Sequence, residues 1–354
     1  MTPAGGAHHH GATWTVVPSP SVPSYANTLA AISCGSATSC MAVGGYSNSG
    51  AGPLIEQWDG SSWTVMAPGS PASGAWALQG VSCASPTFCV AVGYSEADSP
   101  DIQGAIEQWN GTAWTVVPYV GPDFSDLYAV SCTGPDFCMA VGTEYEYPIA
   151  ADPVVLEWNG SDWTGVAPGV PTDTPDAFAG VSCTGPDACE AVGDASDVHC
   201  QPPMGGCQVI AERPLTASWD GRNWSVTEPA APRGGSLDSV SCTGASACTA
   251  VGEHNSLHCN RSNSQCTTGP THHLVETFDG STWSVQPGVK GQNALAAVSC
   301  SAPTTCVAIA GSAIVEESDR GGERGRVVEG FLDRGPRFRE PIFRRGHLYG
   351  HRPL

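Results

Sequence analysis

Basic residues are scarce over most of this chain. The 354 residues contain 14 Lys and Arg against 34 Asp and Glu, and nine of the fourteen are Arg within residues 319–354. Residues 1–318 therefore carry 5 basic and 29 acidic residues, a net charge of −24. Because a surface of this sign repels nucleic acid and anionic membranes, we expect no nucleic-acid partner. Cations, or neutral ligands such as sugars, are the partners that this charge favours.

Several catalytic signatures are also missing. The sequence contains no Gly-x-Ser-x-Gly, no P-loop and no dinucleotide fingerprint, so we expect no cofactor. A sialidase-like site needs an arginine cluster, and residues 1–318 hold four arginines, Arg213, Arg222, Arg233 and Arg261. Loop carboxylates are abundant enough for glycoside hydrolysis, but their abundance singles out no pair. We therefore assign no catalytic residue.

Apolar segments of membrane length are absent. No stretch approaches the roughly 18 apolar residues of a membrane span, and Met1–His10 lacks the apolar region of a signal peptide. We expect residues 1–10 to be disordered. The paired cysteines described below favour export, so we expect that the chain begins inside its gene.

One segment of about 50 residues is repeated along the chain. Its markers are a Cys-x5-Cys pair, an Ala-Val-Gly and a turn of the form Trp-(Asp/Asn)-Gly-x-x-Trp. The first Cys of successive copies advances by 49, 49, 51, 59 and 58 residues, beginning at Cys34. A period near 50 with strand-like content predicts repeated β-sheets that are not stable alone.

The first copy divides into four short strands. Leu29–Cys34 and Cys40–Gly44 form a predicted hairpin, and Leu54–Trp58 follows a polar loop. Asp59-Gly60 is a strong hairpin turn, and Trp63–Met66 is the fourth strand. Four antiparallel strands per repeat predict an all-β propeller, with residues 11–318 in its blades.

The two ends of the repeat region predict how the propeller closes. Gly11–Pro18 copies the end of a repeat, whereas Leu295–Ile309 and Ile314–Glu317 supply the first three strands of one. We therefore expect Trp14–Val17 to complete the last sheet and to give six blades, or seven if the native chain continues past residue 318. Residues 319–354 share no pattern with the repeat, and we expect an Arg-rich, disordered tail.

Every cysteine has a near neighbour. The sixteen form eight local pairs, which are Cys34/Cys40, Cys83/Cys89, Cys132/Cys138, Cys183/Cys189, Cys200/Cys207, Cys242/Cys248, Cys259/Cys266 and Cys300/Cys306. Even numbers at a fixed place in a repeat indicate disulfides and an oxidising compartment, so we expect a secreted or cell-surface protein. Zinc is the alternative, but zinc sites bring two closely spaced pairs together, whereas here the pairs occur once per repeat and neighbouring blades hold them far apart.

Aromatic residues flank the second turn in every full copy. Ten of the eleven Trp belong to this motif, and Phe278 takes one place. The row could form a sugar-stacking platform, but recurrence in each copy favours packing between blades. Glu56, Glu107 and Glu276 recur two residues before the aromatic, and we interpret this as a solvated strand position.

The segments Cys40–Gly45 and Leu54–Gly69 resemble a kelch repeat, in which a strand ending in Gly-Gly is followed by an aromatic, a turn and a Trp. The same segments are similar to Cys-paired propeller repeats of secreted bacterial proteins. The resemblance covers residues 11–317 and implies a propeller more strongly than an activity. It departs from kelch because kelch lacks the disulfide and only the first copy keeps Gly44-Gly45.

One face of such a propeller should carry the variable loops, because the turns on the other face barely change between copies. The loop face collects the aromatics outside the motif, and the candidate ligand-binding residues are Trp76, Tyr94, Tyr119, Phe124, Tyr145 and Tyr147. Acidic residues accompany them, namely Asp98, Asp101, Asp123, Asp126, Glu144, Glu146, Asp173 and Asp176. Aromatics with carboxylates suit a carbohydrate or a cationic peptide; alternatively, acidic loops serve solubility.

Histidines mark the two longest loops. His199, His254, His258, His272 and His273 lie there with the two extra cysteine pairs and with Asp194, Asp197 and Glu253. A metal site is conceivable, but solvated histidines are the commoner outcome on polar loops, and we expect no metal. We conclude that the sequence predicts a monomeric, non-catalytic extracellular binding propeller for a glycan or a protein. A glycan-active hydrolase or lyase using loop carboxylates is the alternative.

Overall fold

The structure is a computed structural model. It describes residues 17–20, 22, 25–47, 52–69, 76–95, 102–145, 151–170, 176–200, 207–227, 229, 231, 234–260, 265–286, 294–310, 313–318 and 326–328. The regular elements in these ranges are all β-strands. Within them, no helix is long and apolar enough to cross a membrane.

The described strands form six antiparallel sheets of four strands, and each sheet uses consecutive strands of the chain. The first three sheets contain β1 Ala26–Ser36, β2 Ser39–Ser47, β3 Gly52–Trp58 and β4 Trp63–Val65; β5 Trp76–Ser85, β6 Phe88–Ser95, β7 Gln103–Trp109 and β8 Trp114–Val117; β9 Ser125–Gly134, β10 Phe137–Tyr145, β11 Ala151–Trp158 and β12 Trp163–Gly165. The last three contain β13 Asp176–Gly185, β14 Ala188–Cys200, β15 Cys207–Trp219 and β16 Trp224–Thr227; β17 Gly235–Gly244, β18 Ala247–Asn260, β19 Gln265–Phe278 and β20 Trp283–Val285; β21 Ala297–Ala302, β22 Thr305–Ala310, β23 Ala313–Ser318 and β24 Arg326–Val328. The predicted all-β propeller of four-stranded blades is confirmed.

The turn before the fourth strand has the same construction in the first five sheets. In the first sheet Gly60 has φ +96°, a left-handed conformation that glycine adopts without steric cost. The Asp59 carboxylate accepts hydrogen bonds from the backbone N–H groups of Ser61 and Ser62, both at 2.8 Å. These bonds and that of the Ser61 hydroxyl lower the pKa of Asp59 to about 2. Side-chain bonding to the backbone therefore closes the turn predicted from Asp-Gly.

Six of the predicted disulfides are present. Each joins the first two strands of a sheet, and the Cα atoms of Cys34 and Cys40, for example, lie 3.9 Å apart as directly opposed residues. The other five are Cys83–Cys89, Cys132–Cys138, Cys183–Cys189, Cys242–Cys248 and Cys300–Cys306. The expected disulfides are confirmed at these positions, and they indicate an oxidising environment.

The two extra cysteine pairs lie on extended hairpins. The second and third strands of the fourth and fifth sheets are 13 and 14 residues long, against 7 to 9 in the first three sheets. Cys200 is paired in register with Cys207, and Cys259 with Cys266. The segments that the sequence analysis assigned to loops are therefore largely strand, because ladder pairing continues up to the two cysteines. The side chains of these four cysteines lie outside the described residues.

Neighbouring sheets are joined by a repeated junction. The large apolar residue five positions before the first Cys is at most 1% exposed in the second to sixth sheets, as Leu78, Leu127, Phe178, Leu237 and Leu295. A serine hydroxyl of each sheet also accepts a hydrogen bond from the cysteine N–H of the next, as Ser33 does from Cys83 at 2.9 Å. The same bond recurs at the four following junctions. Apolar burial and one inter-sheet hydrogen bond thus hold successive blades together.

The first and sixth sheets differ from the others in burial. Leu29, at the position of Leu78, is 42% exposed, and Ile32 is 61% exposed. On the sixth sheet Ile309 is 45% exposed, although its counterpart Val43 is fully buried. At the other junctions a neighbouring sheet buries the residues at these repeat positions. In the described part of the chain, the last sheet and the first do not bury each other's residues in this way.

The last sheet corrects the predicted closure. Its fourth strand is β24, whose Val327 pairs with Val315 of β23. Of the predicted closing strand Trp14–Val17, residues 14–16 lie outside the described residues, and Val17 is an exposed residue before the first strand. The edge of β23 is taken by β24, because an open edge pairs with a nearby segment of the same chain. That segment belongs to residues 319–354, which we expected to lie outside the propeller.

The junction predicts two very different costs for one substitution. We expect Leu78→Ala to lower the free energy of unfolding by about 2 to 5 kcal/mol, because it empties a buried contact between sheets. Leu29→Ala, the same change at the same repeat position, should cost no more than about 0.5 kcal/mol. Urea denaturation of the two variants measures the difference. Equal losses of unfolding free energy would show that Leu29 of the first sheet is buried in solution.

The cysteine pattern predicts eight disulfides in the intact chain. Alkylation without reductant should add no mass, since twelve cysteines are already paired and the remaining four oppose each other in register. Intact mass spectrometry measures this directly. Alkylation at Cys200 or Cys259 would contradict the expectation for the hairpin ends.

Candidate functional site

The predicted loop-face aromatics divide into three groups. Tyr147 lies outside the described residues. Trp76 begins β5 and Tyr94 lies on the adjacent β6, both half-buried, and Trp76 pairs in register with Ser95. The remaining three, Tyr119, Phe124 and Tyr145, belong to the third sheet and the segment leading into it. The structure therefore brings together only part of the predicted set.

Tyr119 anchors the segment that leads into the third sheet. Its hydroxyl lies 2.5 Å from the hydroxyl of Ser125, which in turn donates to the carbonyl of Pro122 at 2.7 Å. Its ring packs on Gly104, where a Cβ would collide with it. Burial raises the pKa of Tyr119 to about 12. The ring thus fixes the path of residues 118–124, and Tyr119 is half-buried; its predicted role in ligand binding stays a prediction.

Phe124 and Tyr145 are joined by a backbone hydrogen bond, and both side chains are partly exposed. Phe124 is 48% exposed and Tyr145 is 45% exposed. The Tyr145 N–H donates to the Phe124 carbonyl at 2.7 Å. Phe124 has φ +57°, and a left-handed conformation costs a non-glycine residue about 1 to 2 kcal/mol. The backbone therefore keeps an aromatic ring at the surface at some conformational cost.

Polar groups contact the Tyr145 hydroxyl, and an acidic residue precedes Phe124 in the chain. The Tyr145 hydroxyl lies 2.5 Å from the hydroxyl of Tyr128 and donates to the Asp126 carboxylate at 3.2 Å. Burial and these neighbours raise the pKa of Tyr145. Asp123 accepts a hydrogen bond from the Gln103 amide at 2.9 Å. We call Asp123, Phe124, Asp126, Tyr128 and Tyr145 the loop patch of the third sheet.

The loop patch is electrostatically negative. The charges of Glu144, Asp126 and Asp123 all act to raise the pKa of Tyr119, which places three carboxylates around this segment. Exposed aromatic faces next to carboxylates can bind a cation through the ring face, or a sugar through stacking and hydroxyl hydrogen bonds. The patch therefore has the chemistry expected of the loop face.

The other candidate acids and histidines do not join this patch. Asp98, Asp101, Glu146 and Asp173 lie outside the described residues, as do the side chains of Asp197, His199 and His258. Asp176 is 1% exposed and is part of the interior. The rings of His254 and His272 lie 5.4 Å apart across two strands, and burial and His272 lower the pKa of His273. Among the described residues no group of three or more His, Cys, Asp or Glu could hold a metal ion.

The recurring glutamates are buried, which corrects their interpretation as a solvated position. Glu56, Glu107 and Glu276 are at most 1% exposed. Each carboxylate accepts a hydrogen bond from the segment that precedes its sheet: from the Ser19 hydroxyl at 2.7 Å, from the Gly69 N–H at 2.9 Å and from the Ala231 N–H at 2.9 Å. These acids tie the connection between repeats to the sheet, since a buried carboxylate needs hydrogen-bond partners.

A second site lies on the opposite face, between the fourth and fifth sheets. A cavity of about 380 Å³ is bounded by the turns of both sheets. Glu190, on β14, lines it and is 6% exposed. The Ser218 hydroxyl donates to its carboxylate at 2.8 Å. Burial raises the pKa of Glu190 to about 7, so its charge changes near neutral pH.

Our sequence interpretation missed this residue, although a signal was present. The residue after the second Cys of the pair is Met41, Val90 and Met139 in the first three copies, and each is at most 1% exposed. The fourth copy has Glu190 at this position. A carboxylate at a repeat position that is apolar in the first three copies marks either a local opening or a functional group.

The raised pKa predicts a loss of stability with increasing pH. Glu190 binds its proton more tightly in the folded state than in the unfolded state. Its protonation therefore stabilises the fold fully below the ordinary pKa of 4.5, and this stabilisation is lost as pH rises through about 7. The loss should approach about 3 kcal/mol, at about 1.4 kcal/mol per pKa unit. Glu190→Met should remove this contribution. Denaturant melts across this range measure it.

Thr249→Val is the matched control for the pH experiment. Thr249 occupies the same repeat position in the fifth sheet, is 4% exposed and carries no titrating group. Its substitution should leave the pH profile parallel to that of the unsubstituted chain. A Glu190→Met profile that is also parallel would show that Glu190 does not titrate in this range.

Comparisons with known proteins agree with the fold. No family model matches the chain, and no curated protein matches it. The chain is similar to a solved structure of YCF48 bound to D1 peptide, with 10% identity, a TM-score of 0.51 and coverage of 86% of this chain and 84% of that one. A six-bladed fucose-recognising lectin from Aleuria aurantia matches with 14% identity and a TM-score of 0.47, covering 84% and 93% of the two chains. An α-L-arabinofuranosidase from Fusarium graminearum matches with 10% identity and a TM-score of 0.44, covering 82% and 88%. At these identities the likeness concerns the fold, and the chain has a β-propeller architecture.

Proposed function

We propose that this protein is a non-catalytic binding propeller, secreted or on the cell surface of a bacterium, that acts as a monomer and binds a glycan or a protein through its loop face. The observation that carries the proposal is the loop patch of the third sheet. Two aromatic side chains are about half exposed there; the backbones of both residues share a hydrogen bond, and the Tyr145 hydroxyl is hydrogen-bonded to that of Tyr128. Pre-ordered aromatic surface binds with little loss of conformational entropy.

The chemistry of the patch defines the ligand class. The carboxylates next to Phe124 and Tyr145 accept hydrogen bonds or attract a cation, and the aromatic faces stack on a sugar ring or an organic cation. The scarcity of basic residues over residues 1–318 argues against an anionic ligand. A neutral glycan or a basic peptide segment is consistent with both features. Both classes therefore belong in the test.

Disulfides support the proposed location. The six pairs in the structure are stable in an oxidising compartment, and few cytosolic proteins keep such bonds. The kelch-like relationship is part of the same proposal, because the aromatic–turn–Trp order recurs in the sheets. We propose residues 11–318 as the repeat region of the propeller, to which β24 of the following segment adds the fourth strand of the last sheet.

A glycan array and a library of basic peptides, screened with the intact chain, test the proposal. For any hit, Phe124→Ala and Tyr145→Ala should each weaken binding by about tenfold or more, as loss of a central aromatic contact does. Titration calorimetry measures the affinity. A hydrolysis assay on glycan hits separates binding from the enzyme alternative, because a binder leaves the ligand intact.

Val120→Ala serves as the control. Val120 lies in the same connecting segment and is 48% exposed, but it is not part of the loop patch. Its substitution should leave the affinity unchanged. The loop-face assignment is wrong if the two aromatic variants bind as tightly as Val120→Ala.

A further inference from the structure

The junction between the fourth and fifth sheets departs from a rule that the earlier junctions follow. At each earlier junction an apolar residue from one sheet shares an apolar cluster with a tryptophan of the next. The pairs are Met41 with Trp109, Val90 with Trp158, and Met139 with Trp219. At the fourth junction the corresponding residues are Glu190 and Phe278, and both line the cavity. The cavity is therefore found where two residues of the junction differ together. Glu190 replaces an apolar side chain, and Phe278 replaces a tryptophan.

The polar part of the cavity lining is hydroxylic and acidic. Glu190 is buried and Ser218 is half-buried, whereas Asp187 and Asp220 are exposed. The Asp220 carboxylate accepts hydrogen bonds from the backbone N–H groups of Arg222 and Asn223, which lower the pKa of Asp220 and keep it ionised. Phe278 contributes an aromatic ring to the wall.

The charges around Glu190 come from the fourth sheet. Asp187 and Asp220 are its acidic neighbours in the cavity, and Arg222 belongs to the same turn as Asp220. The lining residues that the described fifth sheet contributes carry no charged side chain. Asp279, next to this lining, directs its carboxylate to Ser281 and Thr282 of its own turn. The cavity interior is therefore negative whenever Glu190 is ionised.

We propose that this cavity is a binding site for a small organic ammonium ion, with Glu190 and Ser218 receiving the ammonium group. An ammonium ion donates three hydrogen bonds and is attracted by carboxylates and by an aromatic face. The volume of about 380 Å³ is at the lower end of the range for small-molecule sites. The site is separate from the loop patch, because it is formed by the turns at the opposite ends of the strands.

Charge linkage makes the binding depend on pH. An ammonium ion favours the ionised form of Glu190, so below the pKa of this group the ligand must displace a proton. The affinity should then fall by up to about tenfold for each unit of pH. An anionic ligand would show the opposite dependence, and a neutral polyol would show little.

Titration of the intact chain with protonated ethanolamine, followed by calorimetry, tests the proposal. We expect saturable binding to one site at about pH 8, and binding at least about tenfold weaker at about pH 5. Glu190→Gln should abolish the binding because it removes the charge and keeps the shape. Phe278→Trp should abolish it as well, because it restores the residue that other junctions use to fill this space.

Two controls separate the site from general electrostatics. The first control is Glu157→Gln, which removes one carboxylate outside the cavity. Gln already occupies this repeat position in the first two sheets, as Gln57 and Gln108. Ethanolamine binding should be unchanged in this variant. Ethylene glycol, which lacks the charge, should not bind. The proposal is overturned if the unsubstituted chain shows no saturable ethanolamine binding, or if Glu190→Gln or Phe278→Trp binds as well as the unsubstituted chain. If Glu190→Gln does not fold, Phe278→Trp alone decides between these outcomes.

Discussion

Each sheet of this protein is too small to be stable alone, and burial against its neighbour is what makes it persist. The contact consists of one large apolar residue, such as Leu78 or Phe178, together with a serine–cysteine hydrogen bond. The local disulfide in each sheet supports this contact by holding the first two strands together. The serine that precedes the cysteine is then correctly placed to meet the next sheet. Stability in such an array is a sum over junctions.

The repeated junction also explains where this protein can vary. Residues that face a neighbouring sheet are constrained by packing, so a polar residue there needs both space and a partner. Glu190 has both, because the cavity beside it replaces a tryptophan contact and Ser218 donates a hydrogen bond. The loop patch of the third sheet lies outside the junctions. Its residues are constrained by local hydrogen bonds, and this leaves their aromatic faces available.

The acidic composition has more than one structural use. Asp59 closes a turn by accepting backbone hydrogen bonds. Glu56 and Glu107 are buried and tie the connections between repeats to the sheets. Only part of the negative charge is therefore available at the surface for solubility or for ligands. Composition alone does not separate these roles, because it does not show which carboxylates have backbone partners.

The sequence by itself determined the architecture, since the period, the alternation of apolar residues and the Asp-Gly turns require four short antiparallel strands per repeat. It also determined the six local cysteine pairs, because residues on both sides of a tight turn are cross-strand neighbours. Tertiary structure alone decided the rest. The buried role of Glu56, the anchoring role of Tyr119 and the pairing of β24 with β23 depend on contacts that local sequence patterns do not specify. The cavity at Glu190 exists only where two sheets meet. Local patterns specify strands and turns because these arise from neighbouring residues, whereas a site arises from residues that folding brings together.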